Sequence, residues 1–165
     1  MDAAETWAMA SPPTYATCVR EATYSGALTR GKRYLILDVS EDREQVKVET
    51  DNKRQRWFPA YCFDMQGGDI PQLVQVVVQG KIEEPCMSPV EVVVGLSNGQ
   101  TRWCFFVTPN ALATLNQIQF DSGIVNVYGV PHMIVVSVLN EQIIRQALES
   151  IDKQGELEGC TLPIK

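Results

Sequence analysis

The chain has 165 residues and a formal net charge of −6, with 14 basic and 20 acidic side chains. This length suits one domain or two small ones, and a chain of this size buries enough surface to fold without metals or disulfides. The acidic balance disfavours nucleic acid at long range and favours basic partners.

The five cysteines are widely spread and form no CxxC pair, which is a poor pattern for a disulfide framework or a zinc site. The acidic N-terminus lacks the apolar run of a secretory signal. The longest apolar runs, such as "MIVVSVL", are too short to cross a bilayer. We therefore expect a reducing, cytoplasmic location without membrane contact.

The predicted elements begin after an extended arm at residues 1–14, where consecutive prolines in "SPP" disfavour a helix. Residues 15–66 contain several short strand-like segments, including "KRYLILDVS", the alternating "EQVKVET" and "RQRWF". Pro59 lacks an amide donor and should end the last of these. Short strands this close together predict a small, strongly bent antiparallel barrel.

The segments "LTRGKRYLIL", "VKVE" and "RWFPAYCF" resemble the Src-homology-three (SH3) barrel family. The resemblance implies an SH3-like β-barrel with a one-turn helix after Pro59. It also draws attention to a groove that binds proline-rich peptides in that family. Here Cys62 replaces the usual groove tyrosine and the paired tryptophans are missing, so we carry over the barrel and not its ligand.

The linker "MQGGDIPQ" predicts a boundary, after which residues 73–165 form an α+β domain. Its elements are expected in the order β-β-β-α-β-α, with the helices on one sheet face. "SNG" predicts a hairpin, because Asn98 and Gly99 both accept positive φ. Thr108 and Pro109 should open a helix, "HMIVVSVL" reads as a strand covered on both faces, and Asn140 should cap the last helix.

The sequence contains no recognisable motif for catalysis or for phosphate binding. The only histidine, His132, has no nucleophile placed beside it by a known motif, and no phosphate-binding loop occurs. We therefore expect no catalytic residues, no cofactor and no metal site. A small hydrolase using His132 and a cysteine is kept as an alternative.

The function favoured by these observations is a non-catalytic protein-interaction module with a basic protein partner. A bacterial immunity-type inhibitor, which steers a basic toxin by charge, is one form of this hypothesis. Aromatic and arginine side chains near turns are the candidate contacts, because such residues dominate interface energies. These candidates are Arg56, Trp57, Phe58, Tyr61 and Trp103. The two tryptophans are alternatively part of a core, or of a surface between the domains.

The second alternative is a nucleic-acid-binding protein. The turn "KRQRWF" combines Lys53, Arg54 and Arg56 with aromatic residues, as small barrels that bind single strands do. Affinity for nucleic acid grows with the number of phosphates neutralised, and one basic cluster on an acidic chain neutralises few. The oligomeric state does not follow from the sequence.

Overall fold

The structure is a computed structural model that describes residues 14–84, 86, 88–113 and 132–164. The chain divides into two compact units, Met1–Ile70 and Pro71–Lys165. Sheets occur in both units, with an α-helix of 13 residues in the second, so the fold is α+β. The extended arm expected at residues 1–14 lies outside the described residues, apart from Thr14.

The N-terminal unit is a five-stranded antiparallel sheet in the order β4-β3-β2-β1-β5. Its strands are β1 (Tyr15–Cys18), β2 (Arg33–Val39), β3 (Gln45–Glu49), β4 (Gln55–Pro59) and β5 (Phe63–Asp64). One 3-10 turn, Ala60–Cys62, joins β4 to β5. The last strand returns to pair with the first, and within the described residues no pairing between β4 and β5 closes the sheet.

Strand alternation builds the core of this unit. Val46 and Val48 of β3 point to the same side and are buried, together with Phe58 of β4. The Phe58 ring meets Tyr24 edge-on at 5.1 Å between ring centroids and Phe63 at 6.3 Å. Aromatic rings therefore pack together with the valines of β3 in the core of this unit, where the described residues include no α-helix.

The long loop between β1 and β2 is fastened to the β3–β4 turn by Asp51. Its carboxylate accepts hydrogen bonds from the Thr29 hydroxyl at 2.7 Å, from the Tyr34 hydroxyl at 3.0 Å and from Lys32 Nζ. The Thr29 amide donates in turn to the Tyr34 hydroxyl oxygen at 2.7 Å. These contacts give the polar loop a defined path back to the sheet.

The C-terminal unit is a second sheet, in the order β10-β8-β7-β6, with β9 parallel to β8. Its strands are β6 (Leu73–Val78), β7 (Val90–Leu96), β8 (Thr101–Val107), β9 (Met133–Val135) and β10 (Leu162–Pro163). Residues 109–113 are helical, which we label α1, and α2 spans Glu141–Lys153. The Thr108 hydroxyl accepts from the Ala111 amide at 3.2 Å, so Thr108 caps α1 as its sequence predicts.

The core of the C-terminal unit is mainly aliphatic. Val92 and Val94 of β7 face Ile144 and Leu148 of α2, and all four are completely buried. The helix begins where Asn140 accepts a hydrogen bond from the Ile143 amide at 2.9 Å, which confirms the predicted N-cap. The apolar stripe of α2 therefore packs against one face of the sheet.

One local prediction is wrong in this unit, and another is confirmed. The segment "HMIVVSVL" contains only three strand residues, and the exposed side chains of Val135 and Val138 show that it is not covered on both faces. The hairpin predicted at "SNG" is confirmed, since β7 and β8 pair antiparallel across this turn, where Gly99 has a positive φ of 83° and Asn98 does not. The Gly99 amide closes the turn onto the Leu96 carbonyl at 2.9 Å.

The strand β10 is not predicted by the sequence, and the elements described in this unit follow the order β-β-β-α-β-α-β. This two-residue strand pairs with β8 next to an arginine clamp. The Arg102 guanidinium donates to the Thr161 hydroxyl at 2.7 Å and to the Glu158 carbonyl at 2.9 Å. The clamp fixes the C-terminal segment against the middle of the sheet.

None of the helices that the structure describes combines the length and apolarity required to cross a membrane.

Candidate protein interface

The outer face of the N-terminal sheet carries an unusual number of apolar side chains. Register pairs Tyr15 with Leu35 and Lys47 with Trp57, and each of these residues neighbours a core-facing residue in its own strand. Because successive side chains alternate between faces, all four project away from the core. We call this surface, formed by Tyr15, Leu35, Leu37, Lys47 and Trp57, the outer sheet face.

Trp57 is the largest exposed group on the outer sheet face, with 43% of its surface accessible. Tyr15, Leu35 and Leu37 are also exposed, and Leu37 lies at the irregularity in register between Ile36 and Asp38. Single exposed apolar residues are normal, but a group of them on one sheet is typical of a contact surface.

Charged groups of both signs surround these apolar side chains. Lys47 lies between Trp57 and Asp38 across three adjacent strands. The Arg33 guanidinium stands 5.2 Å from the centre of the Tyr15 ring, in a cation–π contact. An apolar patch bordered by polar groups of both signs resembles the core and rim of a protein–protein interface.

The five residues proposed as partner contacts do not form one surface. Phe58 is only 2% exposed and lies in the core, so it stabilises the unit and offers no contact area. Arg56 precedes Trp57 in β4 and projects to the opposite face of the sheet. Tyr61 is exposed on the 3-10 turn, with the Arg20 guanidinium 5.9 Å from its ring centre. Of the five, Trp57 alone belongs to the outer sheet face.

Trp103 belongs to the other unit, where it forms a half-buried aromatic cluster. Its ring centre is 4.5 Å from that of His132, and the Phe105 ring is 5.2 Å from His132. Among the described residues, no group forms a hydrogen bond with His132 Nδ1. Packing of aromatic rings against one another, in tilted and edge-on geometry, is the role that these contacts support for both Trp103 and His132.

The hydrolase alternative gains no support from the thiols. Burial raises the pKa of the Cys18 thiol to about 11 and that of Cys104 to about 12, so both remain protonated near neutral pH. Cys86 lines a cleft with Glu84, Thr108 and Ser137, and no histidine is among the described lining residues. The part of the chain that the structure describes contains no cluster of metal-binding side chains.

The basic turn is partly neutralised by neighbouring acids. Lys53 forms an ion pair with Glu49 at 3.2 Å, and Lys32 pairs with Asp51 in the adjoining loop. Partial burial raises the pKa of the Asp51 carboxyl, but hydrogen bonds from Lys32, Thr29 and Tyr34 outweigh it and hold the pKa below its usual value. Asp51 is therefore charged near neutral pH and reduces the positive potential available to a phosphate backbone.

Strand alternation also divides the basic and aromatic parts of this turn. Arg56 projects from one face of β4 and Trp57 from the other, while Arg54 lies in the turn before the strand. A single strand of nucleic acid needs phosphate contacts and stacking platforms along one groove. Of the three basic candidates, Lys53 and Arg54 lie in the β3–β4 turn and Arg56 lies in β4, on the face opposite Trp57.

The sequence analysis overlooked Tyr15, Leu35 and Leu37. The run "YLIL" contains the signal, because a strand with one buried face should alternate and this strand is apolar on both. That pattern indicates either burial on both sides or an apolar outer surface, and the exposure of Leu35 and Leu37 identifies the second.

Comparisons with protein-family models, with curated proteins and with solved structures give no match to the chain.

Proposed function

We propose that this protein is a non-catalytic protein-interaction module whose N-terminal unit binds a partner protein through the outer sheet face. The observation that carries the proposal is the exposed Trp57 ring on the same face as Tyr15 and Leu35. Tryptophan and tyrosine are over-represented among residues that dominate binding energy. Their positions on paired strands hold them in place before binding, which lowers the entropic cost of association.

The proposal includes an SH3-like classification of the N-terminal unit. The strand order β4-β3-β2-β1-β5, the long loop after β1 and the 3-10 turn before β5 support it. The proposed binding surface is not the groove through which members of the SH3 family bind proline-rich peptides. Cys62 is buried at the groove position, whereas the exposed aromatic and aliphatic side chains are on the sheet.

A basic partner is favoured by the charge of the chain. The net charge of −6 raises the encounter rate with a basic protein at low salt. Asp38 and Glu49 add acidic groups to the strands that form the outer sheet face. An immunity-type inhibitor is the form of this proposal in which the basic partner is a toxin and the bound module blocks its site.

The experiment is affinity capture of the tagged protein from host lysate, with and without nuclease, followed by identification of retained proteins. The affinity of the isolated partner is then measured for Trp57→Ala, with Tyr61→Ala as the matched control. Tyr61 is also an exposed aromatic residue of this unit but lies on the 3-10 turn. Loss of Trp57 should weaken binding by about 2 kcal/mol with unchanged melting, as for an interface anchor.

Equal affinity of Trp57→Ala and the wild type would reject the outer sheet face as the binding surface. Capture of nucleic acid that is lost after nuclease treatment would instead favour the basic turn, and Arg54→Glu with Arg56→Glu would then abolish binding. A partner that binds more weakly only in Tyr61→Ala would move the interface to the 3-10 turn.

A further inference from the structure

The second sheet has an open edge at β6. This strand lies at one end of the order β10-β8-β7-β6, and among the described residues no strand pairs with its outer side. The segment from Gln72 to Gln79 reads "QLVQVVVQ", without a charge or a proline. Proteins usually protect such an edge with lysine, proline or a bulge, because its free amides and carbonyls can pair with another strand.

The register shows which backbone groups of β6 face outward. The Gln79 amide donates to the Glu91 carbonyl at 2.8 Å, and Val77 pairs with Val93. Hydrogen-bonded pairs alternate along an antiparallel ladder, so Gln75, Val77 and Gln79 bond to β7. The amides and carbonyls of Val76 and Val78 therefore point away from β7, towards the open edge.

One end of this edge is already occupied within the unit. The Leu73 amide donates to the Asp152 carboxylate of α2 at 3.2 Å, next to the irregularity in register between Leu73 and Gln75. The other end of β6 is followed by Gly80, which has a positive φ of 80°. The available edge is thus the short stretch from Val74 to Val78.

We propose that β6 pairs antiparallel with β6 of a second copy of this chain, with Val76 opposite Val76 of that copy. In this register, residues whose amides and carbonyls point to the open edge lie opposite one another in the two copies. It therefore also places Val74 opposite Val78. Val76 then meets its own equivalent on a twofold axis, while Val74 of each copy meets Val78 of the other, which is how a symmetric dimer satisfies one surface with itself. The two sheets become one continuous sheet across the interface.

The composition of β6 favours a second copy of this chain as the partner of its open edge. An uncharged segment rich in valine presents no repulsion to an identical segment, although the whole chain carries a net charge of −6. On the face of the C-terminal sheet that points away from its core, Val77 of one copy lies diagonally across the axis from Val77 of the other. Diagonal neighbours in such a pair are roughly 7–8 Å apart, close enough for their side chains to interact.

The first test is sedimentation of the full chain from dilute to concentrated solution. We expect a species of twice the 18.4 kDa chain mass that dissociates on dilution. Amide exchange, read residue by residue, should slow at Val76 and Val78 as the dimer forms. The amides of Val77 and Gln75 bond to β7 in either state, so their exchange should change much less.

A charge swap at Val77, which is 38% exposed, tests the register. Val77→Lys and Val77→Glu should each raise the dissociation constant about tenfold or more, because like charges meet across the axis. An equimolar mixture should restore the dimer, since opposite charges then face each other. Val138→Lys is the matched control, because Val138 is an exposed valine of the same unit outside β6.

Three results would overturn the proposal. A wild-type chain that stays at 18.4 kDa at every concentration has no such dimer. Protection of Val76 and Val78 that is independent of concentration would mean that the chain covers its own edge. A dimer that keeps its affinity in both single variants, without protection at Val76 and Val78, uses another surface.

Discussion

The two units of this chain fill their interiors differently. In the N-terminal unit the rings of Tyr24, Phe58 and Phe63 meet edge-on, while in the C-terminal unit valines of the sheet pack on Ile144 and Leu148 of a helix. The described residues of the N-terminal unit include no α-helix to cover its sheet, and large aromatic side chains supply part of the buried volume there. A sheet covered by a helix is filled by branched aliphatic groups that interlock with the helix surface.

The units also differ in where apolar groups and free backbone groups reach the surface. The N-terminal sheet leaves side chains exposed on its outer face, whereas in the C-terminal sheet no described strand pairs with the outer edge of β6. The first arrangement suits a different protein with a complementary patch. The second suits an identical strand. The comparison indicates that one chain can carry two separate kinds of contact.

The largest expected effect comes from removing the central ring of the aromatic core. Phe58→Ala should lower the free energy of unfolding of the N-terminal unit by about 4 kcal/mol, because it leaves a cavity between Tyr24 and Phe63. Thermal melting combined with hydrogen exchange in each unit measures the loss and locates it. Phe58→Leu, which retains more of the buried volume, is the control and should lose less. Equal loss of protection in both units would show that their stabilities are not separate.

The matching change in the other unit is Leu148→Ala in α2. Leu148 is completely buried against the sheet, so we expect a loss of about 3 kcal/mol confined to the C-terminal unit. Chemical denaturation followed by circular dichroism reports it, since α2 is the longest described helix. The half-buried Ile143 on the same helix supplies the comparison, and Ile143→Ala should cost clearly less. A larger loss at Ile143 would contradict the assignment of the buried face.

A smaller effect is expected at the start of α2. Asn140→Ala removes the acceptor for the Ile143 amide and should reduce stability by about 1 kcal/mol. Asn140→Asp retains the acceptor and adds a negative charge beside the helix N-terminus, so it should preserve or increase stability. The melting temperatures of the two variants, compared with that of the wild type, measure how much the Asn140 cap contributes to stability. A neutral Asn140→Ala variant would show that packing alone positions the helix.

The smallest effect is confined to low pH and to the N-terminal unit. The folded-state pKa of Asp51 lies below its usual value, so its contribution is present above the unfolded pKa and is lost as pH falls through the folded pKa. Stability of this unit should therefore decline below about pH 4, the ordinary range for an aspartate. Asp51→Asn should flatten that part of the pH profile. An unchanged profile would show that other carboxylates govern the acid response.

Features of the fold that depend on neighbouring residues can be predicted from the sequence, whereas features that depend on distant residues cannot. The alternation of "QVKVE" and the cap at Asn140 depend on neighbouring residues, and the structure contains both. The strand β10 could not be foreseen, because its two residues become a strand only through β8 and the Arg102 clamp, some 59 residues away. The apolar "MIVVSVL" run was misjudged because exposure of Val138 depends on what packs nearby and not on its own sequence.

The candidate site was harder to predict than the fold. Aromatic type alone selected Phe58 and Trp57 together, although alternation in a strand places neighbours on opposite faces. Leu35 and Leu37 were not selected, because an apolar run gives the same signal for a buried strand as for an exposed face. Which face is covered is decided by the register of distant strands, and a single sequence does not contain that register.

The buried thiols make the transient unfolding of each unit measurable by chemical labelling. Cys18 and Cys62 are inaccessible in the N-terminal unit, and Cys104 is inaccessible in the C-terminal one. An alkylating reagent attacks the thiolate, so these positions should react only when the surrounding unit transiently unfolds. The half-buried Cys86 and Cys160 should be labelled earlier. Mass spectrometry over time would then record how often each half of the molecule opens, with no probe beyond the chain's own sulfur atoms.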